Sequence, residues 1–284
     1  MPSLLDIRRR IRSVKNTQQL TKAMKTVSAA KLRRAQERVV SARPYANQLR
    51  HVLSGLASRL ENIQHPLLEV RPENRLVLVI VTADRGLCGG FNSNLIRAGQ
   101  NFLQQHQGAE VRLFTAGRKG RDFFRRRNAA FAGEYANFFS KLDVAHARDI
   151  SQQLIDMYSK SETDAVYIAY NEFKSAIQQR IVVEKLLPLG TTDLGNAAAG
   201  VDYIFEQPPQ EILNRLLPRY VEIEVYRALL ESAAAEHGAR MAAMDTASRN
   251  AGDMIESLTL NMNRVRQAAI TREIIEVVSG AGAQ

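Results

Sequence analysis

The stretch of this 284-residue sequence best suited to chemistry is glycine-rich, Asp84-Arg-Gly-Leu-Cys-Gly-Gly-Phe-Asn92. It follows a continuous apolar run, so a position between a strand and a helix is expected. Glycine-rich turns at such positions can bind phosphate through backbone N–H groups. The spacing matches neither the dinucleotide fingerprint nor a Walker loop, and no Lys-Ser or Lys-Thr pair follows. We therefore interpret the glycines as a sharp chain reversal over a strand end.

Nucleophilic and metal-binding side chains form no recognisable set. Cys88, the only cysteine, has no histidine nearby in the sequence to act as a base, so we predict a packed thiol. His237 stands beside Glu236 in a helical pattern and is interpreted as a polar residue that sets helix register. The remaining histidines show no metal-ligand spacing: His51, His65, His106 and His146. No catalytic, cofactor or metal site is predicted.

The glycine-rich segment belongs to a region with α/β texture, residues 74–190. Apolar and β-branched runs predict strands at 75–82, 110–115, 165–170 and 179–187, and helical patterns fill 92–107, 118–127 and 146–160. This alternation predicts an open, mainly parallel, Rossmann-like sheet covered by helices. Residues 191–209, rich in Gly, Ala, Thr and Pro, are predicted to be a linker.

A long helix is predicted after the linker, from about Leu213 to Val278 within a segment of residues 210–284. Twelve positions at alternating steps of four and three include ten apolar residues, which is the seam of a coiled coil. The seam positions are Leu230, Ala234, His237, Met241, Met244, Ser248, Ala251, Ile255, Leu258, Met262, Val265 and Ala269. About 65 helical residues would reach roughly 100 Å. A helix of this length needs a partner along its seam.

The end of this helix changes character after Ala269. Arg272 and Glu276 fall on the seam, whereas apolar residues spread around the helix: Ile270, Ile274, Ile275, Val277 and Val278. A helix that is apolar on several sides must be enclosed. We therefore expect a single helix that is held by an apolar collar.

A second long helix is predicted for residues 1–65. Ser3 and Asp6 form a capping-box-like start, and Pro44 marks a possible kink. Its apolar stripe fades between Gln18 and Ser28, where Leu20, Met24 and Val27 suggest a shifted phase, and it returns from Ala35 to Ile63. The two seams predict a long antiparallel coiled coil of the N- and C-terminal helices.

Positive charge is concentrated at the N-terminus. Residues 1–50 hold thirteen Lys and Arg against Asp6 and Glu37, a net charge of +11 compared with +10 for the whole chain. Such a block favours an anionic partner: nucleic acid, an acidic lipid surface or an acidic protein surface. A basic coiled-coil nucleic-acid-binding protein stays an alternative, although aromatic stacking residues are missing from the block. An Arg-rich start also suits a transit peptide, but the helical pattern continues past residue 40.

Four motifs together resemble one family over nearly the whole chain. They are Ile11-Arg-Ser-Val-Lys-Asn-Thr-Gln18 with Thr21-Lys-Ala-Met24, then Asp84–Asn92, then Glu236-His-Gly-Ala-Arg-Met241 with Asn250, and finally residues 266–281. With two long helices around an α/β domain, they are similar to the gamma subunit of the F-type ATP synthase. The paired cysteines of chloroplast-type gamma subunits are absent from this sequence. A bacterial type is expected.

The resemblance implies a function without catalysis in this chain. The coiled coil would be the central rotary shaft inside a ring of alpha and beta subunits. It would couple proton-driven rotation of the c-subunit ring to ATP synthesis at the beta subunits, and the reverse. The α/β domain would form the foot together with the epsilon subunit. The protein would be peripheral, at the cytoplasmic face of the bacterial inner membrane, and would need no cofactor.

The resemblance also implies contact residues. By motif position, Met24, Lys25 and Arg240 would face the beta subunits. Arg266, Gln267 and Thr271 would engage the upper part of the ring. Tyr203 and Glu206 would lie at the foot, over the c ring.

Overall fold

Two long helices precede and follow an α/β region along the chain in the computed structural model, which describes residues 3–57, 65–175, 179–190 and 208–281. Helix α1 spans Leu4–Ala57 and helix α5 spans Pro209–Ala281, with 54 and 73 residues. The chain divides into two compact units. We call residues 1–28 with 240–284 the helical-pair unit and residues 29–239 the α/β unit. The predicted linker, apart from Pro208 and Pro209, lies outside the described residues.

Helix α1 begins as the sequence predicts. The Ser3 hydroxyl accepts the backbone N–H of Asp6 at 3.2 Å, and the Asp6 carboxylate accepts the N–H of Ser3 at 3.2 Å. This reciprocal capping box satisfies two N–H groups that have no partner within the helix. The helix then continues through Pro44 to Ala57 without interruption. Ile63, where the predicted stripe ends, lies outside the described residues.

The seam of the helical-pair unit keeps one phase. Ile7, Thr21 and Ser28 are buried, whereas Leu20 and Val27 are 61% and 55% exposed. The predicted phase shift is therefore wrong, because the seven-residue repeat continues and only its residues become polar. The Thr21 hydroxyl donates to the Gln18 carbonyl at 3.0 Å, and the Ser28 hydroxyl donates to the Met24 carbonyl at 2.7 Å. These bonds explain how hydroxyl groups are tolerated in the seam.

The two helices of this unit run antiparallel. The Gln18 amide donates to the Ser248 carbonyl at 3.3 Å, and a Cβ atom at Gly252 would lie 3.1 Å from the same amide nitrogen. Further along α1, Lys25 pairs with Asp245. Residue numbers therefore increase along α1 in the direction in which they decrease along α5. From Met241 to Ala269, every predicted seam position is buried or half-buried.

A five-stranded sheet forms the centre of the α/β unit. Its strands are β1 Arg75–Val81, β2 Glu110–Ala116, β3 Phe131–Tyr135, β4 Ala165–Phe173 and β5 Gln179–Leu187. They lie in the order β3-β2-β1-β4-β5, with β5 antiparallel to β4 and the other pairs parallel. Helices α2 Phe91–Gln105, α3 Arg118–Arg125 and α4 Val144–Ser159 connect them. The predicted open, mainly parallel sheet is confirmed.

Strand β1 lies at the centre of the core, because its side chains from Leu76 to Val81 are buried on both faces of the sheet. On one face, Leu76, Leu78 and Ile80 pack in a cluster with residues of α2 and α3. Strand β3 was not predicted. It has five residues, none fully buried, and Gly133 in its middle weakens the pattern. That glycine is required, because a Cβ atom would lie 2.5 Å from the Phe114 ring.

Candidate functional sites

Asp84 ties together three parts of the carboxyl edge of the sheet. One carboxylate oxygen accepts the backbone N–H groups of Arg118 at 3.0 Å and Asn137 at 2.8 Å. The other oxygen accepts the N–H of Phe139 at 3.1 Å. These donors follow β2 and β3, whereas Asp84 follows β1. The carboxylate thus acts as a structural anchor for the strand ends.

The glycine-rich loop is a sharp reversal, as predicted. Leu87 and Gly89 have φ angles of 62° and 54°, in the left-handed region that favours glycine. The Asn92 side chain accepts the N–H of Ala83 at 2.9 Å and donates to the Cys88 sulfur at 3.1 Å. Cys88 is 2% exposed. It is a packed thiol that supports the turn.

The crevice beside this loop is occupied by helix α5. Rossmann-like sheets bind ligands outside the carboxyl ends of their strands, where the order of the strands reverses. Here the Ser232 hydroxyl donates to the Val81 carbonyl at 3.3 Å. Ala235 belongs to the same buried cluster as Ala83 and Cys88. A nucleotide would have to displace α5 to enter. Within the described ranges, no group of three His, Cys, Asp or Glu residues could hold a metal ion.

A buried ionic network joins α5 to the sheet and to α1. Arg227 donates hydrogen bonds to Glu224 at 2.8 Å and to Glu184 at 2.9 Å. Its guanidinium also donates to the Tyr170 hydroxyl at 3.0 Å. On the other side, Arg50 of α1 pairs with Glu224 at 3.0 Å. The network therefore links α5 to α1 and to two strands of the sheet, β4 and β5.

Burial and charge act against each other in this network. Burial alone would lower the pKa of Arg227, but attraction by Glu224, Tyr170 and Glu184 raises it above its ordinary value. Burial also raises the pKa of Tyr170. Both groups thus keep their protons over the whole physiological range, and the network does not titrate through them.

An exposed ionic cluster lies on the helical-pair unit. The Lys25 ammonium is 2.6 Å from Asp245, and Arg249 is 2.9 Å from the same carboxylate. The hydrogen bond from Lys25 is the main reason that the pKa of Asp245 lies below its usual value. Two cations share one carboxylate, so the cluster carries a net charge of +1. Lys25, a predicted partner-contact residue, already has a partner within the chain.

The other predicted contact residues fall into two groups along the helical-pair unit. Met24 and Arg240 are half-buried, whereas Arg266, Gln267 and Thr271 are exposed. The 26 positions that separate Arg240 from Arg266 correspond to roughly 39 Å along a helix. The structure therefore does not bring the two groups together. Tyr203 and Glu206 lie outside the described residues.

Two charged residues of these sites were not predicted from the sequence. Asp245 was not predicted, although its spacing of four from Arg249 is a helical ion-pair signal. Arg227 was not predicted either, although Glu224 and Glu231 flank it at three and four residues. In both cases the decisive partner comes from another element, which local spacing does not reveal.

Sequence comparisons identify the family. A family model described as ATP synthase matches residues 3–283. The ATP synthase gamma chain of Solibacter usitatus (strain Ellin6076) is 55% identical over 287 residues, which cover 100% of this chain and 99% of the relative. The ATP synthase gamma chain of Pelotomaculum thermopropionicum is 51% identical over 283 residues, which cover 100% of this chain and 99% of that relative. Nothing in the comparisons supports the nucleic-acid alternative.

Solved structures agree with the fold. The cryo-EM structure of the Tetrahymena thermophila mitochondrial ATP synthase central stalk and c-ring contains a similar chain, with a TM-score of 0.61 and 25% identity. The match covers 81% of this chain and 99% of that one. A chain of the Euglena gracilis mitochondrial ATP synthase has a TM-score of 0.69 at 19% identity. The match covers 99% of this chain and 94% of that one. The second likeness concerns the fold alone.

Proposed function

The chain belongs to the family of ATP synthase gamma chains, and from this premise we propose how its surfaces perform the work of a rotary central shaft. The shaft couples proton-driven rotation of the membrane c ring to ATP synthesis at the beta subunits, and runs in reverse during hydrolysis. An asymmetric shaft drives the beta sites only if it contacts their nucleotide states differently.

The observation that carries this proposal is the register of the helical pair. Lys25 lies opposite Asp245, and Gln18 lies close to Gly252. Extending this register places Ser3 near position 267 of α5, so α5 continues past the start of α1. Residues from Ile270 to Ser279 are all exposed in this chain, apolar ones included. Such a single helix is suited to an apolar collar formed by the alpha and beta subunits.

The lower shaft is suited to contact the beta subunits. Its surface carries the cluster of Lys25, Asp245 and Arg249, with net positive charge. Met24, Lys25 and Arg240 would meet acidic loops there. Arg266, Gln267 and Thr271, roughly 39 Å further along α5, would engage the ring near its top. The distance between the groups supports two separate contacts with different roles.

The α/β unit is proposed as the foot. It would bind the epsilon subunit and the c ring, the latter through Tyr203 and Glu206. We place the complex at the cytoplasmic face of the bacterial inner membrane. Across the described part of the chain, no helix is both long and apolar enough to cross a membrane, which suits a peripheral subunit that is attached through its partners.

Catalysis is assigned to other subunits of the complex. The support is the filled crevice beside the glycine-rich loop, where Ser232 and Ala235 of α5 occupy the position that a nucleotide would take. The loop itself is committed to holding the strand ends through Asp84 and Asn92. Neither side chain is left to act on a substrate.

Cysteine cross-links within the assembled complex test the rotary role. Cys88 is first replaced by serine, and one cysteine is placed either near Ala281 or at Met24. Each is oxidised to a cysteine in the facing subunit of the ring. A bond at Met24 should stop ATP turnover until it is reduced, because the lower shaft can no longer turn. A bond near Ala281 should leave part of the turnover, because single bonds or a short unwound segment can rotate there.

The same double-cysteine complexes before oxidation, and again after reduction, are the matched controls, and their turnover is the rate against which the effect of each bond is measured. If the bond at Met24 formed fully and turnover continued, the rotary proposal would be wrong for this protein.

A further inference from the structure

A cavity of about 320 Å³ lies within the α/β unit, where α1 and α5 meet the first turns of α4. Its wall is mainly apolar, and the apolar lining includes Val39, Ala42, Ala46, Val144, Ile223 and Leu230. Val39 and Leu230 are 4% and 2% exposed, so the inner end reaches the packed interior. This volume is at the lower end of ligand pockets, which span roughly 300 to 1,000 Å³.

The local sequence explains why the helices leave this space. Ala42 and Ala46, four residues apart, present only methyl groups on the same face of α1. Each long helix also holds a proline at this level: Pro44 in α1, and Pro218 directly before the lining residue Arg219. A proline inside a helix removes one backbone hydrogen bond and disturbs the preceding turn. Small side chains and interrupted turns coincide at the cavity.

A charged cluster borders the same cavity. Glu222 accepts a hydrogen bond from Arg219 of α5 at 2.8 Å, and the Arg148 guanidinium of α4 lies 3.4 Å from the same carboxylate as an ion pair. The glutamate side chain is 10% exposed, whereas the two arginine side chains are 58% and 56% exposed. Two guanidinium groups share one carboxylate, so the cluster has a net charge of +1. Each guanidinium has five N–H donors; Arg219 gives one of them to Glu222 and Arg148 gives none in a hydrogen bond to it, so donors remain for a second anion.

We propose that this cavity binds a monocarboxylate with a single acyl chain of medium length. The acyl chain lies along Ala42, Ala46 and Ile223, and the carboxylate accepts hydrogen bonds from Arg148 and Arg219. Arginine is suited to carboxylates because its planar donors match the two oxygens. The positive cluster disfavours cationic amphiphiles, and the volume is too small for a lipid with two chains. The proposal does not depend on the rotary role of the chain.

Isothermal titration with decanoate tests the proposal, below the concentration at which decanoate aggregates. The titrations use both the purified full chain and the complete complex that contains it. Decanol and decylamine, which have the same chain length, serve as neutral and cationic probes. We expect decanoate to bind one site per chain and decanol to bind at least about tenfold more weakly, because a charge-assisted hydrogen bond is worth more than a neutral one. Decylamine should not bind.

Two variants probe the cavity and the cluster separately. Ala42→Leu fills the cavity and should abolish binding, whereas Ala30→Leu, at an exposed position of α1, should leave it unchanged. The double variant Arg148→Gln with Arg219→Gln should weaken decanoate binding at least about tenfold and leave decanol binding unchanged. Its matched control, Arg9→Gln with Arg34→Gln, removes two exposed arginines elsewhere on α1. Circular dichroism checks that each variant is folded.

Three results would overturn the proposal. Decanoate and decanol could bind equally, which would remove the role of the arginines. Ala42→Leu could bind as the wild-type chain does, which would place the ligand elsewhere. Decanoate could bind the purified chain but not the complete complex, which would identify the cavity as a surface for another subunit. The cross-linking experiment, which tests the rotary role, does not depend on any of these three outcomes.

Discussion

Lys25 and Asp245 face each other across the helical pair, with 2.6 Å between the ammonium and one carboxylate oxygen, although 220 residues separate them. This pair marks the register of the two helices. It also determines how far α5 extends past the start of α1, since each step along one helix matches a step on the other.

Replacement of Lys25 by glutamine should raise the pKa of Asp245 towards its ordinary value, because the hydrogen bond from Lys25 is the main cause of the lowered pKa. Carbon-13 NMR of the labelled carboxylate measures this change. A carboxylate with a lowered pKa stabilises the fold above its unfolded-state pKa, and this stabilisation is lost as the pH falls through the folded-state pKa. The difference in stability between wild type and variant should therefore vanish in acid. Arg249→Gln, the matched control, should raise the pKa less, and a larger rise would contradict the prediction.

Truncation after Ala269 should leave the stability of the helical pair unchanged. Ile270, Ile274, Ile275, Val277 and Val278 are between 48% and 71% exposed, so little burial is lost with them. Denaturant unfolding, followed by circular dichroism, measures the effect. The contrasting variant is Met244→Ala, at a seam position that is 5% exposed, which should cost about 2 to 5 kcal/mol. A destabilised truncation would mean that α1 covers more of α5 than the register implies.

Gly117→Ala should destabilise the α/β unit by about 3 kcal/mol or more. The glycine has a φ of 114°, and a Cβ atom would lie 2.0 Å from the Thr82 carbonyl oxygen. Gly108→Ala is the matched control, because a Cβ atom there would have no neighbour within 4 Å. It should be neutral, or more stable by about 0.5 kcal/mol through the unfolded state. Equal effects of the two variants in denaturant unfolding would contradict the geometry.

Arg227→Gln should cost about 3 kcal/mol, because it removes the cation that the buried carboxylates of Glu224 and Glu231 share. The cost lies at the lower end of the range for a broken buried pair, since Arg50 still pairs with Glu224. The side chains of these glutamates are only 9% and 5% exposed. Arg33→Gln breaks another Arg–Glu pair, whose side chains are 85% and 64% exposed. That control should change stability by less than about 1 kcal/mol. If urea unfolding showed similar losses of stability for the two variants, burial would not determine how much the network contributes to stability.

The purified chain should neither hydrolyse ATP nor bind it with micromolar affinity. Its glycine-rich loop lacks a lysine placed for phosphate, and α5 fills the crevice through Ser232 and Ala235. Calorimetry with ATP and Mg²⁺ checks the binding, and phosphate release checks the hydrolysis. A micromolar site on the isolated chain would refute the assignment of catalysis to other subunits.

The sequence by itself determined the long helices, the seam of α5, the exposed apolar tip and the central strand β1. Each of these is a local periodicity, because a helical seam or a strand buried on both faces is written in residues that follow one another. The capping box of Ser3 and Asp6 is local in the same sense. Interactions over three or four residues need no knowledge of the tertiary fold.

The tertiary structure alone decided which distant groups meet. Local patterns did not reveal that the seam keeps its phase between Gln18 and Ser28, because its polar residues depend on bonds within and between the helices. Nor did they reveal the three backbone donors of Asp84, the short strand β3 or the cavity bordered by Arg148 and Arg219. These features join segments that lie far apart in the chain. Their energies come from burial and charge pairing that exist only after those segments have packed together.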